Sequence, residues 1–363
     1  MIRSGLIHIR QFLRLLVAGP GIAFSLLLLP ASPALGAAPD DWVEVCPVTE
    51  ARVRPGVVAF GGKLYVIGGR DASGNASDKV YCYDPVTNAW TEVAALPAAR
   101  SDVGVGTAGG RIYAVGGKDA MGNTVDTVYC YDPNTNTWTA AAPLPTPRSG
   151  VGVAAAGGKL YAVDGKDAAG NASDKTYCYD PVTNAWVEKA PLPAPRSDIG
   201  LVEVGGNIYA VGGKDAGGNA SDKVFCYNPI TDTWSEAAAL PAPRSGGGVG
   251  SAGGKLYWMD GFDAAGNASD KTYCYDPLTN AWTEVASLPV QRSEMGVGGL
   301  GTDVYAVGGS DSGGAASARA FRYGSSAGIP ALSAGGVLVF VLALLIAGSI
   351  AMRKRKATGP AAT

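Results

Sequence analysis

The chain has 363 residues, 52 of them glycine, with 17% charged and 8% aromatic residues. This composition suits a β-rich fold with many tight turns and excludes a helical bundle or a disordered chain. Seven of the 29 basic residues lie at the two ends; the other 22 face all 31 acidic ones, so the middle carries a net charge near −9. Such a surface repels phosphate backbones, and no nucleic-acid partner is expected.

Residues 1–37 read as a secretory signal. Arg3, Arg10 and Arg14 precede an apolar stretch, Leu15–Leu29, interrupted by Gly19-Pro20-Gly21 and followed by the small residues around Gly36-Ala37-Ala38. Cleavage is expected between Gly36 and Ala38; the rival reading is an uncleaved anchor. The sole histidine, His8, lies in this segment. The mature body would then have none, which excludes histidine acid–base catalysis, Ser-His-Asp triads and histidine metal sites there.

From Trp42 onward a unit of 48 residues repeats. Trp42, Trp90, Trp138, Trp186, Trp234 and Trp282 keep that step, as do the columns starting at Arg52, Gly56 and Tyr65. Each unit reads as four short strands. In the first these are Val57–Phe60, Leu64–Ile67, Val80–Tyr83 and Trp90–Val93. Gly61-Gly62, Gly68-Gly69 and Asp84-Pro85 mark turns between them. Four-stranded sheets with two apolar faces are buried by stacking in a ring. The strand at Trp42–Cys46 has no first three before it, and the last unit, ending at Phe321-Arg322-Tyr323, has no tryptophan after it. The opening strand is therefore expected to complete the sixth sheet and leave no open edge.

The Gly-Gly pair, the Tyr-x-Tyr-Asp-Pro turn and the tryptophan about six residues on resemble the kelch repeat over residues 42–327. The resemblance implies an all-β, six-bladed propeller. Two units depart from the double glycine and carry Asp164-Gly165 and Asp260-Gly261.

Cys82, Cys130, Cys178, Cys226 and Cys274 occupy one repeat position, and Cys46 stands alone. Equivalent sites on neighbouring blades are too far apart for disulfides, so buried thiols are expected; the third strand that Cys46 faces carries Arg322 at the cysteine position. The polar loops starting at Asp71, Asp119, Asp167, Asp215 and Asp263 suggest half of a calcium loop but lack the distal glutamate; turn geometry is the simpler reading. No metal or other cofactor is expected.

The Arg52 column precedes each innermost strand and is read as a brace between blades. The position two residues later varies: Arg54, Asp102, Gly150, Asp198, Gly246, Glu294. Kelch resemblance places this column and the loops after the double glycine on a ligand-holding face. Arg54, Asp102, Asp198 and Glu294, with Asp164 and Asp260, are the candidate binding residues. No catalytic residue is assigned. Some kelch-like propellers are enzymes; copper radical oxidases need the histidines absent here, whereas a sialic-acid mutarotase-like pair needs only carboxylates and an arginine, for which Arg54, Glu294 and Asp102 qualify.

Residues 328–352 carry no charge, and Ala334–Met352 approach the length that spans a bilayer as a helix. The basic cluster at 353–356, within a tail of residues 353–363, predicts a cytoplasmic end. Ile329-Pro330-Ala331-Leu332-Ser333 followed by this stretch resembles bacterial IPTL-type sorting tails, with Ala331 in place of the usual threonine. The whole is expected to be an exported, membrane-anchored module facing the periplasm or cell surface and binding a carbohydrate or protein partner. The alternatives are a sugar epimerase or mutarotase and a surface-display protein with no defined ligand.

Overall fold

The computed structural model describes residues 41–324. The expected leader, the apolar stretch at 328–352 and the basic tail lie outside them. Six four-stranded antiparallel sheets are arranged as blades of a propeller. In the first, Gly56–Phe60, Lys63–Ile67, Val80–Asp84 and Ala89–Val93 follow one another from the centre outward. Blades two to five repeat this pattern. The sixth takes Gly296–Leu300, Asp303–Val307 and Ala320–Gly324 and is completed by Asp41–Val45. Trp42 pairs with Tyr323 and Val45 with Ala320, so the ring closes through the two ends of the described chain, as expected. Among the described residues there is no helix.

One position of the second strand is completely buried in every blade: Leu64, Ile112, Leu160, Ile208, Leu256 and Val304. The two middle strands have neighbours on both faces, which is why their sequences are apolar throughout rather than alternating. The tryptophans tie the blades together. Trp90 Nε1 donates to the Cys46 carbonyl at 2.7 Å, and Trp138 Nε1 to that of Ala94 at 2.8 Å. Trp42 does the same to Ala286 at 2.9 Å, so the closing blade carries the same latch as the rest.

No disulfide joins the six cysteines; four are buried, and Cys46 and Cys226 are half-buried. The opening strand ends at Val45, one residue short of the expected Trp42–Cys46, and Arg322, at the cysteine position of the strand it pairs with, lies opposite Val43.

The seventh tryptophan, Trp258, is fully buried where the other blades carry valine or alanine (Val66, Ala114, Ala162, Ala210, Ala306). Gly247 makes the room: a Cβ there would lie 2.5 Å from the indole. Its counterparts are Pro55, Val103, Val151, Ile199 and Met295.

Candidate functional site

The innermost strands bound a central channel, whose walls include Val57, Val105, Val153, Leu201, Val249 and Val297. Its two ends differ. One carries the tight hairpins such as Gly61-Gly62. The other is fed by the segments that cross from blade to blade, and there the variable column closes into a ring around a cavity of about 150 Å3 lined by Arg54, Asp102, Gly150, Asp198, Gly246 and Glu294.

The backbone dictates which residues stand there. All six positions have positive φ, from 51° at Arg54 to 61° at Gly246. Two are glycine; at the others a left-handed conformation disfavoured by L side chains is held by the surrounding fold. The ring is stitched by its own amides. Arg54 N–H donates to Glu294 O at 2.8 Å, Glu294 N–H to Gly246 O at 2.9 Å, and Gly150 N–H to Asp102 O at 2.9 Å. The six side chains therefore converge on one mouth.

Arg54 is the hub. Its Nε donates to Glu294 Oε1 at 2.7 Å, and its Nη1 to Asp102 Oδ1 at 2.8 Å and to Asp198 Oδ1 at 3.1 Å. Asp102 and Glu294 belong to the adjacent blades, whereas Asp198 is three blades away, directly across the mouth. The arginine side chain is 23% exposed and the two aspartates 5%. Burial pulls the Arg54 pKa down, but the surrounding charges of Asp198, Asp102 and Glu294 outweigh it and raise it, so the guanidinium stays charged. Burial pushes both aspartates up, yet Arg54, helped by Arg70 at Asp102 and by Lys166 at Asp198, brings them below the ordinary carboxylate value.

Around this ring stands a second one that the sequence reading did not single out. Arg70, Lys118, Lys166 and Lys214 share one repeat position with Phe262 and Ser310. Lys166 Nζ reaches Asp198 Oδ2 at 3.1 Å, and Arg70 Nη2 lies 3.5 Å from Asp102 Oδ1. The rim is thus cationic over four blades and uncharged over two. The signal was in the same 48-residue step, one residue before the polar loop that drew attention instead.

Asp164 and Asp260 do not join the mouth. They are 1% and 0% exposed, with Asp164 Oδ2 and both oxygens of Asp260 lacking a hydrogen-bond partner. Each replaces the first glycine of the pair, where a side chain points into the packing between blades: a Cβ on Gly68 would meet the Arg100 carbonyl at 2.5 Å. Burial pushes both carboxyls well above the usual range, the Gly152 amide working against this at Asp164. They are removed from the set of residues a ligand can touch.

The Arg52 column is buried between blades. Arg100 Nη2 donates to Thr127 Oγ1 at 2.7 Å, and its guanidinium lies 5.4 Å from the Tyr129 ring centre. Its backbone carbonyl also accepts from Gly69, so it braces neighbouring blades. In the polar loops Asp71 Oδ1 accepts from the amides of Ser73 at 2.8 Å and Asn75 at 2.9 Å, and the other loops repeat this. The aspartate shapes its own turn.

A six-bladed ring with one polar mouth built from inter-blade segments is a β-propeller. The profile of the KLHDC2/KLHL20/DRC7 Kelch-repeats domain matches residues 45–192 and 142–309, and the chain belongs to the kelch-repeat family. Among curated proteins none matches. Among solved structures, one described as "Structure of YjhT" superposes with a TM-score of 0.65 at 19% identity, over 76% of this chain and 96% of that one. At this identity the likeness is one of fold.

Proposed function

We propose that the protein is an extracytoplasmic, membrane-anchored binding module whose ligand, a carbohydrate or a protein segment, docks on the mouth built around Arg54. The observation that carries this is the ring itself. In a repeat otherwise nearly uniform, unlike residues stand at equivalent positions and converge on one cavity. Their mixture of carboxylates, guanidinium and rim lysines suits a ligand rich in hydroxyl or amide groups. The pairing of Arg54 with three carboxylates favours binding over acid–base catalysis. Asp102 and Asp198 are held ionised, so neither keeps a proton to donate near neutral pH, and their pairing with Arg54 weakens both as proton acceptors.

The test is a glycan and peptide array probed with the chain, followed by Glu294→Gln and Lys166→Ala. Saturable binding that both variants weaken about tenfold or more supports the reading. Binding untouched by either, or turnover of a bound sugar seen as anomer exchange by NMR, overturns it.

A further inference from the structure

The end of the propeller opposite the mouth carries an unexplained pattern. Six large apolar side chains are strongly exposed among the described residues, and four of them, Val86, Val182, Ile230 and Leu278, share one repeat position at 91–95% exposure. They sit at the tip of the turn between the third and fourth strands of blades one, three, four and five; blade two has Asn134 there. Each is held outward by its own turn: the Val86, Val182, Ile230 and Leu278 amides donate to the side chains of Asp84, Asp180, Asn228 and Asp276 at 2.9 Å. These turns lie beside the strand-one hairpins, since a Cβ on Gly109 would come 3.5 Å from Pro181 of the next blade's turn.

The charges at this end are largely paired off. Lys63, Arg111, Lys159 and Lys255 bridge to Asp84, Asp132, Asp180 and Asp276 at 3.0–3.5 Å. Single exposed aliphatics are ordinary. Four in register on one end, above neutralised charge, are not placed by packing, because they touch almost nothing.

Where the chain leaves the propeller supplies the second observation. The last strand, Ala320–Gly324, runs away from the mouth and ends at this same end. In the sequence only residues 325–333 separate Gly324 from the apolar stretch 334–352, a reach of roughly 30 Å even when fully extended. A tether this short, leaving from this end, brings the aliphatic tips toward whatever holds that stretch.

We propose that this end docks on the lipid bilayer, with Val86, Val182, Ile230 and Leu278 inserted at the interface and the mouth turned away from it. The proposal rests on reading residues 328–352 as a membrane anchor. The paired charges make the contact apolar, so it does not require anionic lipid.

The full chain in phosphatidylcholine nanodiscs, pulsed with hydroxyl radicals and mapped by mass spectrometry, tests this. Val187 on an outer strand and Met121 on a mouth-side loop are exposed and serve as internal references. Oxidation of the four tips about fivefold slower than these references, corrected for intrinsic reactivity, is the expected result. The combined Val86→Ser, Val182→Ser, Ile230→Ser, Leu278→Ser variant should stay in the membrane but lose protection at Pro85, Pro181 and Pro277. Release of the unmodified chain by alkaline carbonate overturns both the anchor reading and the docking. Retention with tips as reactive as Val187 overturns the docking alone.

Discussion

Arg54 and Asp198 lie on opposite sides of the channel mouth, 144 residues apart, with Arg54 Nη1 3.1 Å from Asp198 Oδ1. The contact spans the ring rather than joining neighbours, so it ties together blades that share no other side-chain bond at the mouth. Replacing Arg54 by alanine leaves Asp102 and Asp198 buried without their main counter-charge. We expect a loss of about 2–4 kcal/mol in urea unfolding at neutral pH. Arg54→Ala with Asp198→Asn should recover part of it. An unchanged midpoint for Arg54→Ala would refute the coupling.

The same pairing sets an acid limb. Despite their burial, the Arg54 charge holds both aspartates below the ordinary carboxylate value in the folded protein. Their contribution is fully present above the unfolded value and is lost as pH falls through the folded one. Stability should therefore drop below about pH 4 in the parent and more gently in the Arg54→Ala variant, as read by thermal melts across acidic buffers.

Asp164 and Asp260 have the opposite sign. Their folded pKa is raised. The unfolded chain ionises them from about pH 4 upward while the fold keeps them neutral, so stability falls as pH rises from there toward the folded pKa. Both also have positive φ, 61° and 53°, at a position that is glycine in the other four blades. Asp164→Gly and Asp260→Gly should each stabilise by about 1–2 kcal/mol at neutral pH, by removing strain and a buried polar group. The gain should shrink near pH 4. A loss of stability at pH 7 would show that these carboxyls are satisfied by partners we have not identified.

Trp258 depends on Gly247. Gly247→Val should cost roughly 1–3 kcal/mol through overpacking, and Gly247→Val with Trp258→Ala should restore most of it, as that pair recreates the combination found in blades two and three. Additive losses in a double-mutant cycle would show that the two sites are independent.

Trp42 is buried, whereas its counterparts Trp90, Trp138, Trp186, Trp234 and Trp282 are half-buried. Trp42→Ala should cost about 3–5 kcal/mol, more than Trp138→Ala. Equal losses would mean that the closing blade is no more sensitive than the others.

The 48-residue step made the blade number, the strand order and the ring closure legible, because register is a property of spacing alone. It also brought Arg54, Asp102, Asp198 and Glu294 together, since equivalent positions on a ring must face one another. What it could not give is side-chain direction. Asp164 and Asp260 read as polar and accessible, yet the first glycine of the pair points into blade packing. Nor could spacing reveal that Gly247 and Trp258, eleven residues apart, are one adjustment of volume. The single arginine bridging three carboxylates depends on how far a long side chain reaches, which no column displays.

The opening strand, Asp41–Val45, finds its partner only in Ala320–Gly324. During synthesis it must wait, unpaired, while nearly 280 further residues are made, although each of the five blades between can form from its own contiguous stretch. A chain stopped between residues 286 and 320 would thus present five finished sheets and an opening strand still without its partner. The first and last strands of the propeller, the parts that vary most easily in other folds, are here the ones on which its completion waits.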